Sequence, residues 1–468
     1  MRRLLWRTRR SSFGRSSPAP VRLLVLILLA AAGSTSAQPL RFGSADAFGE
    51  WGAGRDGRDR VELTGTAGAA YLPASWRGAV RGEVEARSGR LTIGLAQTLH
   101  PAAGGLYGPE ADEAYDLVRA LRYVRLNPTA RSRVYGRLGP TRHLTLGTGA
   151  LAREYQTTTA WDERALGLEA AADAGAVSLG AFVDDVRLNG VMGGQVELRT
   201  GTAVGPLDKV RLGLAGVHDL GLPGLRGDSS LTGLEVWATG DLLGDGTFAV
   251  SPFVSVARYL GHGGTLGAGI DADAGNLGNA FRANLRLAAY ASGSGFVPGH
   301  VGPFYAINNA RERIVDTDSF YDDAPGVGLT GTPLDSVRAG VDLVASGRLL
   351  AFGRFEAAPY LRRHVGADRL SAFGLRLGVE LPRGGEIAFD LERQGFRGLF
   401  SLFGDLGDEN ALSLDVRVPI AAHAVLLVQS RYGYRTIDPI EAGASLPDRR
   451  FLIERRFEPM LGLRLRPF

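Results

Sequence analysis

Between Ser371 and Arg393 the chain alternates strictly between apolar and polar side chains. Phe373, Leu375, Leu377, Val379 and Leu381 are interleaved with Gly374, Arg376, Gly378 and Glu380. Pro382-Arg383-Gly384-Gly385 then reverses the chain, and Ile387, Phe389 and Leu391 alternate with Glu386, Ala388, Asp390 and Glu392 on the return. A period of two places one set on each face of an extended strand, whereas a helix would scatter both sets around its circumference, so the segment predicts a hairpin with an apolar and a charged side. The alternation recurs. Leu412, Leu414, Val416, Val418 and Ile420 oppose Ser413, Asp415 and Arg417; Ala283, Leu285, Leu287 and Ala289 oppose Asn284 and Arg286. Ala339, Val341, Leu343 and Ala345 oppose Arg338, Gly340 and Asp342, and Val210, Leu212 and Leu214 oppose Arg211 and Gly213. Strands of about ten residues with one apolar face are the unit of a membrane-spanning barrel, although a soluble sandwich alternates too.

The connections separate these two folds. Eighteen strands fit between Val118 and Arg466, and from residue 139 onward their connections form two interleaved sets. One set (139–142, 173–175, 201–208, 242–246, 274–280, 347–351, 382–385, 420–423) totals about 40 residues. The other (152–163, 185–193, 219–230, 259–263, 292–336, 364–370, 394–409, 436–450) totals about 121. Short turns on one side and long loops on the other are what a bacterial transmembrane barrel has, and a sandwich has no reason for them. The expected fold is therefore all-β, an antiparallel up-and-down transmembrane barrel of about 18 strands, within a range of about 16–22. Val61–Leu72, Ala79–Arg87 and Leu91–Leu99 also read as strands, which makes twenty-one. An odd number conflicts with both chain ends lying on one side, and 100–117 becomes a long connection on the short side. Residues 38–117 are thus expected either as extra barrel strands or as a small periplasmic or plug-like piece ahead of a barrel at 118–468.

Charge changes the picture at the N-terminus. The formal net charge is +4, yet Arg2, Arg3, Arg7, Arg9, Arg10, Arg15 and Arg22 all lie in an acid-free opening stretch. Without them 46 basic residues face 49 acidic ones, which removes the support for a nucleic-acid partner. Leu23 to Ala32 is a ten-residue apolar run, too short to span a bilayer, and Thr35-Ser36-Ala37 supplies the small residues of a cleavage site before Gln38. Residues 1–37 therefore predict a cleaved secretory signal peptide. The absence of cysteine suits an exported chain without disulfides.

At the other end the chain reads Phe457-Glu458-Pro459-Met460-Leu461-Gly462-Leu463-Arg464-Leu465-Arg466-Pro467-Phe468. An alternating strand closed by a terminal phenylalanine resembles the assembly signal of Gram-negative outer-membrane β-barrel proteins, the porin-like class. That resemblance implies outer-membrane lipid and the barrel-assembly machinery as partners and leaves the oligomeric state open.

On the best strands Arg338, Asp342, Arg354, Glu356, Arg376, Glu380, Glu386, Asp390, Glu392, Asp415 and Arg417 are candidates to face the lumen. They would either focus ions and polar solutes or pair across strands to fill the barrel. The longest loop, 292–336, carries Phe304-Tyr305 and the acidic residues Asp316, Asp318, Asp322 and Asp323. Its aromatics argue for an ordered loop that folds into the pore and sets charge at a constriction. The seven histidines show no metal-ligand spacing, so no metal and no cofactor is expected. No local motif supports a serine–histidine–acid hydrolase, the enzyme alternative. The expected function is passive diffusion of small polar solutes. The alternative outside catalysis is a structural or binding barrel with a closed lumen.

Overall fold

The computed structural model describes residues 60–72, 75–102, 105–106, 120–126, 134–141, 143–157, 166–186, 190–200, 208–220, 230–244, 248–274, 281–303, 305, 337–352, 354–365, 371–381, 384–396, 410–437 and 452–465. Twenty strands form the wall. They are β1 (Arg60–Leu72), β2 (Ser75–Ser88), β3 (Leu91–Leu99), β4 (Leu121–Leu126), β5 (Val134–Gly139), β6 (Gly167–Asp173) and β7 (Val177–Val183). There follow β8 (Val191–Arg199), β9 (Asp208–Asp219), β10 (Leu231–Asp241), β11 (Phe248–Tyr259), β12 (Gly264–Ala274), β13 (Phe281–Ser292) and β14 (Gly340–Ala351). The last six are β15 (Phe355–Val365), β16 (Ala372–Glu380), β17 (Glu386–Gln394), β18 (Asn410–Ala421), β19 (Ala424–Ile437) and β20 (Leu452–Leu465). Each pairs antiparallel with its neighbour in sequence. The ring closes where β1 meets β20, from Leu63 opposite Leu465 to Tyr71 opposite Phe457. This is a closed up-and-down barrel.

Closure satisfies every edge, and the face pattern says what surrounds it. Alternate residues Leu212 and Leu214, Val254 and Val256, Leu285 and Leu287, and Leu461, Leu463 and Leu465 point outward and are exposed. An apolar belt around a whole barrel is solvated by lipid, not by water, so the barrel spans a bilayer. Aromatic residues mark both borders of the belt. Phe248, Phe281 and Phe352 lie at the end that holds Arg60 and Leu465; Tyr71, Trp76 and Phe457 cluster at the other, with ring centroids 5.6 and 6.3 Å apart.

Twenty is even, and the odd count in the sequence reading traces to one stretch. Residues 143–151 alternate like a strand but leave the wall and fold inside the barrel. Removing them shifts the parity of everything before them. Strands β1 to β3 become part of the wall, and the connection 100–120 moves to the long-loop side. No connection on the side of the chain ends exceeds eight residues, whereas 100–120, 140–166 and 293–339 lie opposite. One sector departs from the rest of the wall: β4 and β5 have six residues and β6 and β7 seven. A tilted span needs about 9–11. This short sector is where the chain turns inward.

Candidate functional site

The inward turn begins at Gly139, whose φ of +148° leaves the strand. A Cβ there would stand 2.7 Å from the Arg122 carbonyl oxygen, so only glycine lets the chain pivot so close to β4. Residues 140–157 then form a narrow hairpin inside the lumen, tied by Leu144 N–H to the Tyr155 carbonyl (3.0 Å) and the reciprocal bond (2.9 Å). Residues 293–305 enter from above β13 and clasp it: Gly299 N–H donates to the Ala150 carbonyl (2.8 Å) and Arg153 N–H to that of Val301 (3.0 Å). Leu144, Leu146, Leu151, Tyr155, Phe296, Val301 and Tyr305 bury themselves against wall aromatics Phe182, Trp237, Phe253, Tyr259, Tyr290 and Tyr360. Phe296 stacks on Tyr259 with centroids 4.7 Å apart. At about 1.5–3 kcal/mol per large buried side chain, this apolar seat is what holds the two loops inside.

Polar groups fix their register. Thr148 N–H (3.1 Å) and hydroxyl donate to Glu235, and Gly147 N–H donates to Gln195 (2.6 Å). The Thr148 carbonyl accepts from Arg153 (2.5 Å), Tyr290 (2.9 Å) and Arg286 (3.1 Å), and Arg286 is itself forked onto Asp271. Arg362 donates to the carbonyls of Pro298 and Gly299. Tyr155 donates to Asp184 (2.6 Å) and Tyr305 to Asp219 (2.7 Å). Burial pushes the Asp184 carboxyl up to about 6, although the Tyr155 and backbone contacts oppose it. Burial also pushes His300 down to about 3, so its ring packs neutral, 5.4 Å edge-on from Tyr305.

The remaining wall, β17–β20 and β1–β4, turns charged side chains inward. Arg417 pairs with Glu386 (2.8 Å) and Asp415 (3.0 Å), and Gln429 also donates to Asp415 (3.1 Å). Arg122 reaches Glu83 (3.2 Å), which Arg81 also holds, and Arg464 binds Glu62 (3.4 Å) and the Thr64 hydroxyl (3.0 Å). Tyr123 donates to Glu85 (2.7 Å).

The inner hairpin meets this charged wall at one cluster. His143, 1% exposed, has Nδ1 3.3 Å from both Glu154 and Glu392 and Nε2 3.5 Å from Asp390. Arg376 pairs with Glu154 (2.6 Å), and the Gln156 amide donates to Glu392. Burial raises Glu154, but Arg376 and His143 outweigh it and hold the carboxyl near 2. Burial and Arg376 lower His143, while its three carboxylate neighbours raise it further, to about 10. His143 and Glu154 both have positive φ, 53° and 51°, which swings their side chains to the same wall.

Of the sequence candidates, Asp342, Glu356, Arg376, Glu386, Asp390, Glu392, Asp415 and Arg417 lie on inward positions. Asp342 is fully buried 3.2 Å from His364 Nδ1, and Glu356 pairs with Arg348 (2.7 Å). Glu380 closes β16 and is half-buried. Arg338, just before β14, and Arg354, in the turn before β15, are exposed off the wall. Asp316, Asp318, Asp322 and Asp323 lie outside the described residues, as do residues 1–37, expected as a signal peptide, and Phe468. The loop expectation is met over 293–303 and at Tyr305, which pack inside. The partner loop 140–157 was hidden by its strand-like alternation. The Asp342–His364 pair supplies two members of a hydrolytic triad. The nearby Ser371 hydroxyl, however, faces the His364 backbone N–H (3.3 Å), not the ring.

No protein-family model matches the chain, and no curated protein sequence does. Solved structures that are similar include Pseudomonas aeruginosa OpdL, at 12% identity over 88% of this chain and 99% of that one, with a TM-score of 0.31. Another is Escherichia coli Wzi, described as a carbohydrate-binding β-barrel of capsule assembly, at 9% identity over 88% and 85%, TM-score 0.33. Pseudomonas aeruginosa OccK2 (OpdF) in complex with glucuronate is at 10% over 88% and 97%, TM-score 0.32. Likenesses this low add nothing to the topology given by the strand pairing.

Proposed function

We propose that this chain is an outer-membrane channel carrying small polar solutes by passive diffusion along the charged side of its lumen. The observation that supports this most is the arrangement of Glu62, Glu83, Arg122, Asp415, Arg417 and Arg464 across successive inward positions, each held by an ion pair or hydrogen bond. Their side chains are at most 10% exposed, so the paired charges act on a moving solute through their field as fixed dipoles, without trapping it, and the low-dielectric wall behind them strengthens that field. The two inner loops narrow the bore from the opposite side, which makes the pathway a selective one. Charged wall residues act here by orienting and by excluding apolar solutes; no bond is made or broken. The chain reaches its membrane through the signal peptide of residues 1–37, cut after Ala37, and the barrel-assembly machinery.

A second reading is a closed structural or binding barrel, favoured by the apolar seat that packs the inner loops to near-complete burial. Planar-bilayer recordings separate the two. A channel gives discrete conductance steps, and Arg417→Gln, which strips a cation from Asp415 and Glu386, shifts its reversal potential toward cation preference. Silent bilayers from correctly folded, heat-modifiable protein support the closed barrel instead.

A further inference from the structure

The cluster where the inner hairpin meets the wall has the composition and spacing of a cation site, and nothing in the channel reading uses it. Two buried carboxylates, Asp390 and Glu392, and the half-buried Glu154 share the space with one guanidinium, Arg376, and with His143. Three carboxylates against one guanidinium leave negative charge that a second cation has to compensate, either a proton on His143 or a metal ion in its place. One ring nitrogen of His143 and one oxygen each of Asp390 and Glu392 lie within 4.8 Å of one another. The ring is aimed into the carboxylates and almost wholly buried, yet neither of its nitrogens makes a hydrogen bond, and Asp390 Oδ1 lacks one too. The Nε2–Asp390 distance of 3.5 Å is long for a charge-assisted hydrogen bond. It matches the separation of about 3.4 Å between two ligands at about 2.1 Å from one tetrahedral ion, which would sit on Nε2 and leave the Nδ1 N–H toward Glu154.

We propose that His143, Asp390 and Glu392 bind a divalent transition-metal ion of the zinc class, clamping the inner hairpin to β17. An imidazole with two carboxylates suits such an ion better than calcium or magnesium, which take all-oxygen shells. Glu154, 3.3 Å from Nδ1 and held by Arg376, is placed to accept the ring's other N–H, as the outer partner of a metal-bound histidine does. Gln156, on the same hairpin, orients Glu392 through its other oxygen. A small cleft lined by Glu154, Tyr360, Ala372, Arg376, Asp390 and Glu392 adjoins the cluster and gives the ion a way in.

The test uses the full mature barrel folded in detergent, freed of metal by a chelator and titrated with cobalt(II) and zinc(II). Cobalt should develop the visible absorption of a tetrahedral site in a one-to-one ratio, zinc should displace it, and zinc should protect the 140–157 hairpin from protease. His143→Gln and the pair Asp390→Asn, Glu392→Gln should each weaken cobalt binding at least tenfold. His423→Gln, at the far turn before β19, should leave it unchanged, and all variants should remain heat-modifiable. Cobalt that keeps its pale octahedral spectrum, or binds wild type and His143→Gln alike, overturns the proposal and leaves a protonated His143 as the counter-charge. These readouts do not depend on conductance, so they stand whether or not the barrel conducts.

Discussion

The two sides of this lumen solve the same problem by opposite means. From β7 to β16 large aromatic residues dominate the inward face and are covered by chain: Trp237, Phe253, Tyr259 and Tyr290 pack under the two inner loops, which Glu235, Arg286 and Arg362 tie down. From β17 round to β4 the inward residues are arginines and carboxylates, and they are covered by one another. The first side is stabilised by area, which is tolerant of small shifts; the second by geometry, which is not, because a buried charge that loses its partner is left uncompensated. A large barrel cannot fill its bore from the wall alone, and here the filling is assigned to one side. That leaves the other free to present charge.

The comparison can be broken most directly by removing the covering. Excision of residues 140–165, with Gly139 joined through a short glycine linker to Leu166, strips the apolar side of its cover. Single-channel conductance should rise several-fold and the barrel remain heat-modifiable. Unchanged conductance would mean that the hairpin does not lie on the conduction path. A smaller effect sharpens the contrast between the inside and the outside of the same wall. Val254→Arg, on the lipid face of β11, should cost about 2–4 kcal/mol in unfolding measurements in lipid. Gln429→Arg, beside Asp415 inside the charged wall, should cost less than about 1 kcal/mol, since a paired partner is waiting. Equal costs would reverse the assignment of faces.

The smallest effect is a pH dependence on the apolar side. Asp184 is held in the folded protein at about 6, above its ordinary value of 3.8, because burial disfavours its charge. A raised carboxyl binds its proton more tightly when folded, so stability is lost as pH rises from about 4 through 6 and is regained on acidification. Protease cleavage within 140–157 should therefore be slower at pH 5 than at pH 7.5, and Asp184→Asn should remove most of that difference. A variant that keeps the full difference would place the titrating group elsewhere.

Much of the wall was legible because period-two alternation is a local signal: Leu377 and Phe389, Leu414, Leu285 and Leu343 can be assigned a face from their immediate neighbours alone. The same signal misled at 143–151. There Leu144 and Leu146 alternate with Thr145 and Gly147 because a hairpin packed inside a barrel also has two faces, and the one that carries the leucines is buried against the wall. The parity of twenty-one strands held the clue, and a glycine at 139 followed by Pro140 marked the exit. The cluster at His143 was out of reach, since Asp390 lies 247 positions away along the chain and no spacing rule connects them. Asp342 with His364 was equally distant in kind: register across β14 and β15 brings them together, not sequence proximity.

The seam between β1 and β20 has a consequence for the order in which the barrel can form. Every other contact in the wall joins strands that follow one another, so the ladder can grow by successive hairpins. Only the seam joins Leu63 to Leu465, and closing so long a ring in a flexible chain costs about 5 kcal/mol of entropy, against about 1–2 for a short turn. Its ladder is also interrupted: opposite Ala69 and Ala70 stand Pro459, which has no N–H to donate, and Glu458. Closure is therefore the last and slowest step, and it cannot begin before the final fourteen-residue strand has been made. Until then the growing sheet carries two bare edges at once, Arg60–Leu72 and its latest strand, both bordered by lipid-facing leucine and valine. Such edges template pairing with any other chain. A factor that occupied both edges together and released them to each other would keep either from pairing elsewhere.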